Sequence, residues 1–243
     1  MLLYKGSLRH FHSPALLFLL LLLQALLLFP YSFHNGIDHK LFYPQIDVTD
    51  DVVDIKPFAI KKPYFIYDSR LSGPEKKHIE LIKAFSLFKK RTGLPHRLVL
   101  AGSDGPFSSD VHKEAFNSEF ASDIFLTGYF PHESFSQLYA GAEALVFPSV
   151  CEGVGLPVLE AMATGIPVGC SNACALPEIG GDAALYFDAD NIIDIACTLE
   201  KLASDKKLRE KLVKKGIEWS AKFNWETTIA RTIGIAKSLA DNK

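Results

Sequence analysis

From residue 57 onward the chain alternates short apolar runs with amphipathic stretches. PYFIYD (63–68) is too short for a helix and apolar throughout, which predicts a buried strand. KKHIELIKAFSLFKKR (76–91) places Leu81, Ile82, Phe85 and Phe88 on one face and predicts a helix. The alternation continues through strand HRLVLAG, helix SSDVHKEAFNSEF, strand DIFLTG, helix HESFSQLYAGA and strand EALVFPS. Strand IPVGCS, a short LPEIGG element, strand AALYFD and three closing helices complete it. Strands that regularly alternate with helices imply a parallel sheet covered on both faces. The expected fold is α/β, one doubly wound, Rossmann-like domain over residues 57–243.

The first thirty residues follow a different pattern. Ala15 to Phe29 is apolar except for Gln24, with Lys5 and Arg9 upstream and Pro14 and Pro30 at its ends. Fifteen helical residues reach about 22 Å, against roughly 30 Å of hydrocarbon. The segment is short for a span, and no small-x-small cleavage site follows it. Two readings stand: a signal anchor or membrane-inserted segment in residues 1–33, or translated sequence that does not belong to the folded protein. Lys5 and Arg9 favour a cytoplasmic N-terminus, which would put the domain outside if residues 15–29 spanned. We expect a shallow insertion, with the domain facing the cytoplasm and membrane-associated through residues 15–29. Residues 34–56 read as a linker, with the acidic, proline-containing stretch PQIDVTDDVVDIKP at its end.

Composition narrows the partners. The 243 residues are 48% hydrophobic and 22% charged with a formal net charge of −2, which is ordinary for a globular core and gives no attraction for nucleic acid. Cys151, Cys170, Cys174 and Cys197 include no Cys-x-x-Cys pair and no zinc-like spacing, so all four are expected as reduced thiols.

The stretch CEGVGLPVLEAMATG (151–165) holds two glutamates, Glu152 and Glu160, separated by Gly153, Gly155 and Pro157. One helix through both is disfavoured. Instead EALVFPS is a strand, VCEGVG a loop, and LPVLEAMAT a helix with Pro157 near its first position and Gly165 past its end. In doubly wound sheets ligands bind where strand carboxyl ends enter such loops. Glu152 in the loop and Glu160 one turn into the helix can then face one pocket. Gly153 and Gly155 let backbone amides approach a ligand, and the helix N-terminus favours an anion. Against this, a glutamate in a first helical turn often only complements the helix dipole. The combination, at the correct end of a strand, carries the weight.

FPSVCEGVGLPVLEAMATGIPVGCSNACALPEIGGDAALYFDADN closely resembles the donor-binding half of the family 4 glycosyltransferases, retaining GT-B enzymes that use nucleotide sugars. HNGID (34–38), RLSGPEKKHIELIKAF, LVLAGSDG, FLTGYFPHESFSQLYAGAEALVFPS and FNWETTIARTIGIAKSL are similar to family stretches and occur in the expected order. The resemblance runs from about residue 34 to the C-terminus. The resemblance leads us to expect that the acceptor-binding N-terminal domain, which would precede HNGID, is absent from this chain.

The resemblance implies roles for particular residues. Glu160 would accept hydrogen bonds from the nucleotide's ribose. Glu152 would meet hydroxyls of the transferred sugar, with the amides of Gly153, Val154, Gly155 and Leu156 near sugar and phosphate. Arg70 and one lysine of the EKK run would neutralise the diphosphate; Gly73 leaves the alignment open between Lys76 and Lys77. Gly128 and Tyr129, in the TGYF turn, would border the base. Fixed cations stabilise the charge that develops on a departing diphosphate, Arg as a planar fork and Lys as a point charge. No cofactor and no metal are expected, the cations and the helix terminus taking the metal's place. Retention would proceed by front-side attack through an oxocarbenium-like state.

Ser69 stands where the family usually has glycine, and Val154 where an aromatic is common. The implied partners are a nucleotide sugar, a sugar or lipid-linked acceptor, and a partner chain supplying the N-terminal half. Two alternatives stand beside hexosyl transfer: a non-catalytic sugar-nucleotide-binding or interaction module, and a sugar-nucleotide epimerase, which the Gly-Leu-Pro motif disfavours.

Overall fold

The computed structural model describes residues 35–45, 50–55 and 57–241. The expected membrane segment, residues 1–33, lies outside the described residues. In chain order the elements are β1 (Val52–Ile55), β2 (Phe58–Lys61), β3 (Tyr64–Asp68), α1 (His78–Thr92), β4 (Arg97–Ala101) and α2 (Ser108–Asn117). They continue with β5 (Ile124–Gly128), α3 (Phe135–Gly141), β6 (Ala144–Phe147), α4 (Leu156–Thr164) and β7 (Val168–Ser171). α5 (Leu176–Gly180), β8 (Ala184–Phe187), α6 (Ile192–Ser204), α7 (Lys206–Ser220) and α8 (Trp225–Asp241) close the chain.

β3 to β8 form a six-stranded parallel sheet in the order β5-β4-β3-β6-β7-β8. The chain winds outward from β3 to β5, then returns to the other side of β3 with β6, where Phe65 pairs with Ala144. The strand order therefore reverses between β3 and β6, and the crevice at their carboxyl ends is the ligand position of such sheets. Both strands are central, which explains their continuous apolar character: Tyr64, Phe65, Ile66 and Tyr67 are fully buried, as are Ala144, Leu145 and Val146.

The helices form where the periodicity places them. α1 buries Leu81, Ile82, Phe85 and Phe88 and ends at Gly93, whose left-handed backbone returns its N–H to the Lys89 carbonyl. α6 starts at Asn191, whose side chain accepts from the amides of Ile193 and Asp194. The helix expected to reach Phe120 stops at Asn117, because Ser118 turns extended and its hydroxyl accepts from the Phe120 amide at 3.1 Å.

A strand occupies part of the expected linker. β1 and β2 form an antiparallel hairpin with Val53 opposite Ile60, both buried. Four half-exposed residues give a weak periodic signal; the pairing and contact with α3 supply the rest. Gly141 permits that contact, since a Cβ there would lie 2.3 Å from Val53 Cγ2. Upstream, the Ile37 amide bonds the Phe223 carbonyl at 3.1 Å, and Gly36 lies so close that a Cβ would sit 2.3 Å from the Trp225 nitrogen. The start of the described chain is thus tied to the entrance of α8. Among the described residues no helix is long and apolar enough to cross a membrane.

Candidate functional site

The loops at the carboxyl ends of β3 and β6 bring together residues far apart in sequence. After β3 the chain passes Arg70 and makes a 3-10 turn at Pro74–Lys76 before α1 begins. After β6 it runs through Ser149 and Glu152 into α4. The two loops are tied by the Val150 amide, which donates to the Glu75 carbonyl at 2.9 Å. Tyr67, buried at the end of β3, donates to the Lys76 carbonyl at 2.8 Å and holds the turn from below. The Lys76 amine then meets Glu152 Oε1 at 2.6 Å.

Neighbouring Lys77 goes elsewhere. Its backbone is left-handed, and its amine pairs with Asp190 at 2.5 Å and Glu80 at 3.2 Å. The hydrogen bond to Asp190 raises its pKa. Of the two lysines left open by the sequence, Lys76 is the one beside Glu152. Arg70 is exposed, with Nε 3.4 Å from the Asp104 carbonyl, and its guanidinium contacts neither glutamate.

Glu152 is held from a third side. The Ser171 hydroxyl, at the end of β7, donates to the Ser149 carbonyl at 2.6 Å, and the Cys174 thiol donates to the Glu152 carbonyl at 3.3 Å. Gly153 is exposed with open space around its α-carbon, and Gly155 has the left-handed φ of 77° that turns the loop into α4. Val154 and Leu156 are half-buried and pack on the core. No side chain caps α4, so the Gly155–Leu156 end presents backbone rather than a hydroxyl or carboxylate.

Glu160 is set deeper, one turn along α4, and is only 7% exposed. Burial first, and then the charge of Asp68, push its pKa up to about 8. The nearest basic side chain is His132, 3.9 Å from Oε1 and well exposed. Asp68, the last residue of β3, accepts from the Tyr139 hydroxyl at 3.1 Å. Burial raises Asp68 to about 7, with the Tyr139 hydrogen bond opposing it. Tyr139 and His132 both pack on the buried ring of Phe42. Asp68, Tyr139, His132 and Phe42 were not among the residues the sequence singled out. The one available signal was Asp68, a lone carboxylate closing an apolar strand at its ligand-facing end.

At the third corner, Gly128 adopts a φ of 71° and leaves Tyr129 74% exposed, while Phe130 turns inward between Phe58 and Phe135. The TGYF turn thus splits into one open ring and one core ring. Asp188 and Asp190, a carboxylate pair two residues apart, serve local ends: Asp188 accepts from the Asp190 amide, and Asp190 pairs with Lys77. Among the described residues no group of three or more His, Cys, Asp and Glu side chains could hold a metal ion. All four cysteines are free, as expected.

The chain belongs to the glycosyl transferases group 1 family, whose model matches residues 50–219. It is 34% identical over 166 residues to O-antigen chain mannosyltransferase B of Escherichia coli, covering 68% of this chain and 44% of that protein. It therefore spans less than half the length of that curated relative. Its fold is similar to sucrose-phosphate synthase from Thermosynechococcus elongatus, with a TM-score of 0.71, 23% identity and coverage of 86% of this chain and 52% of that one. It is also similar to the solved C-terminal domain of the group 1 glycosyl transferase LpcC from Francisella tularensis, with a TM-score of 0.66 and 26% identity. That match covers 77% of this chain and 97% of the solved domain.

Proposed function

We propose that residues 57–243 are the donor-binding half of a retaining, family 4 glycosyltransferase that moves a hexosyl group from a nucleotide sugar. The observation that carries this reading is the Lys76–Glu152 ion pair, which joins the loops after β3 and β6 at the reversal point of the sheet, with Glu160 one turn into the helix that the second loop enters. A carboxylate paired to an amine at the mouth and a second carboxylate buried one turn deeper match a ligand with an anionic middle and hydroxyls at both ends. The near-complete coverage of the solved LpcC C-terminal domain supports the assignment to that half.

In this reading the ribose hydroxyls donate to Glu160, the diphosphate lies along Lys76 and the uncapped start of α4, and the sugar hydroxyls meet Glu152. Arg70, exposed at the rim, swings onto the diphosphate when donor binds. These cations stabilise the leaving diphosphate without a metal ion. Tyr129 borders the base. The acceptor, a sugar or a lipid-linked sugar, sits on a second wall that a partner chain or another segment supplies, and the domain works on the cytoplasmic side of a membrane. Titration calorimetry with uridine, guanosine and adenosine diphosphates and their sugars tests the reading. Saturable binding that Lys76→Ala and Glu160→Ala each weaken is expected; no binding by any of them overturns it.

A second reading, a sugar-nucleotide-binding module without transfer activity, is favoured by the exposed apolar face of α8, where Trp225, Ile229 and Ile233 lie open. Product analysis with donor and acceptor separates the two.

A further inference from the structure

We infer that Tyr67 is a positioning residue of the donor site: by holding the peptide between Lys76 and Lys77, it aims the Lys76 amine at the mouth and turns Lys77 away. The inference rests on the reading of Lys76 as a ligand of the diphosphate.

The two lysines are neighbours, yet their amines end in different loops: Lys76 on Glu152 after β6 at 2.6 Å, Lys77 on Asp190 after β8 at 2.5 Å. The backbone between them explains the split. In the 3-10 turn the Lys76 amide bonds the Gly73 carbonyl at 3.2 Å and the Lys77 amide bonds the Pro74 carbonyl at 3.1 Å. Lys77 then adopts φ 56° and ψ 30°, a left-handed conformation uncommon for a residue with a side chain. The ladder of α1 begins only beyond this point, with the Leu81 amide on the Lys77 carbonyl at 3.0 Å. The Glu75 and Lys76 carbonyls thus fall between turn and helix, and each is taken by a group from another element. The Val150 amide donates to Glu75 at 2.9 Å, and the Tyr67 hydroxyl donates to Lys76 at 2.8 Å.

Tyr67 can hold this peptide because the core holds Tyr67. Its side chain is fully buried, with the ring edge-on to Phe147 of β6 at 5.3 Å and 4.7 Å from His78, the first residue of α1. His78 is buried as well, and its Nε2 donates to the Ser69 carbonyl at 3.4 Å, next to Arg70. Burial raises the pKa of the Tyr67 phenol well above its ordinary value, so the hydroxyl remains a donor at neutral pH. The Lys76 carbonyl belongs to the planar peptide that joins the two lysines, so holding it fixes ψ of Lys76 and φ of Lys77 together. The two side chains diverge because that plane is held. Tyr67→Phe removes one oxygen from a packed ring and leaves the carbonyl unpaired, which frees the plane to rotate. Tyr67 acts on a bound diphosphate only through Lys76.

The test is calorimetry on the full chain with uridine, guanosine and adenosine diphosphates and with the three nucleosides, in wild type, Y67F, K76A and the double variant. Y67F should weaken diphosphate binding roughly five-fold, the worth of one neutral hydrogen bond, and leave nucleoside binding unchanged. In the K76A background Y67F should add nothing, because no amine remains to be aimed. Should Y67F fail to fold, Lys77→Val strains the same peptide from its half-buried end, since a β-branched side chain is an outlier at that φ. K77V should then show the selective loss, with K77A as the control for the missing amine. Unchanged diphosphate affinity in Y67F, an equal loss for the nucleosides, or a loss that adds in full to that of K76A overturns the inference and leaves the phosphate site standing; where K77V is the variant read, the first two outcomes do the same. A wild type that binds no diphosphate, or K76A that binds it as the wild type does, overturns the reading of Lys76 itself.

Discussion

The Lys76 amine lies 2.6 Å from the Glu152 carboxylate, across 76 residues of sequence, and both are partly shielded from solvent. Each neutralises the other. A nucleotide sugar would replace this ion pair with two separate contacts, the amine to phosphate and the carboxylate to sugar hydroxyls. Lys76→Ala should therefore weaken binding of a nucleoside diphosphate far more than that of the nucleoside. Lys77→Ala, which breaks contacts to Asp190 and Glu80 only, should change both little. Equal losses in the two variants would reassign the phosphate contact.

With Glu160 in the proposed role of ribose ligand, Glu160→Ala should cost on the order of 1.5 to 3 kcal/mol in nucleotide affinity, the worth of a charge-assisted contact. Glu152→Ala should spare the free nucleotide and weaken only the sugar-bearing form. Calorimetry with each diphosphate and its sugar checks both, and identical losses for the two ligands in Glu152→Ala would contradict its role.

Arg70 is exposed, so in the proposed site its attraction for a diphosphate would be screened and long-range. Diphosphate affinity should fall with added salt, and the slope should lessen in Arg70→Ala. A variant that loses affinity for the uncharged nucleoside as well would indicate a folding defect.

The buried titrating groups also set the pH dependence of stability. Asp68 and Glu160 ionise at about 7 and about 8 in the fold, against 3.8 and 4.5 ordinarily, so the folded state binds more protons than the unfolded one between those values. Their contribution to stability is full below the ordinary carboxylate range and is lost as pH rises through the folded values. His78 and His96, held neutral down to about 4, act oppositely but only below their ordinary 6.5. Above about pH 7 the carboxyl effect stands alone. The melting temperature of the unliganded chain should decline from pH 7 to 8.5, and Glu160→Gln should flatten that decline.

The apolar side of α8 predicts association. Ile229 is 54% exposed and Ile233 49%, one helical turn apart, with Trp225 a further turn before them. Ile235, two residues beyond Ile233, is half-buried. Ile229→Ser with Ile233→Ser should reduce self-association in sedimentation, or binding to a separately expressed acceptor domain, without altering nucleotide affinity. Efficient sugar transfer by an isolated monomer would show that no such partner is needed.

Much of this molecule is determined by local pattern. Central strands buried on both faces must be apolar throughout, and helices packed on a sheet must repeat every three to four residues; PYFIYD and KKHIELIKAF announce both. The break at Gly153, Gly155 and Pro157 likewise fixes a loop-to-helix junction, because backbone sterics act within a few residues. Tertiary structure alone decided which lysine meets Glu152, since Lys76 and Lys77 are chemically identical in sequence and differ only in where a left-handed turn aims them. It also decided that the Tyr139 hydroxyl donates to Asp68 and that Glu160 lies buried beside His132, because their separation in sequence carries no period. A four-residue strand such as β1 gains its identity from Ile60 across the hairpin and Gly141 on α3, and no local signal encodes partners that only the fold brings near.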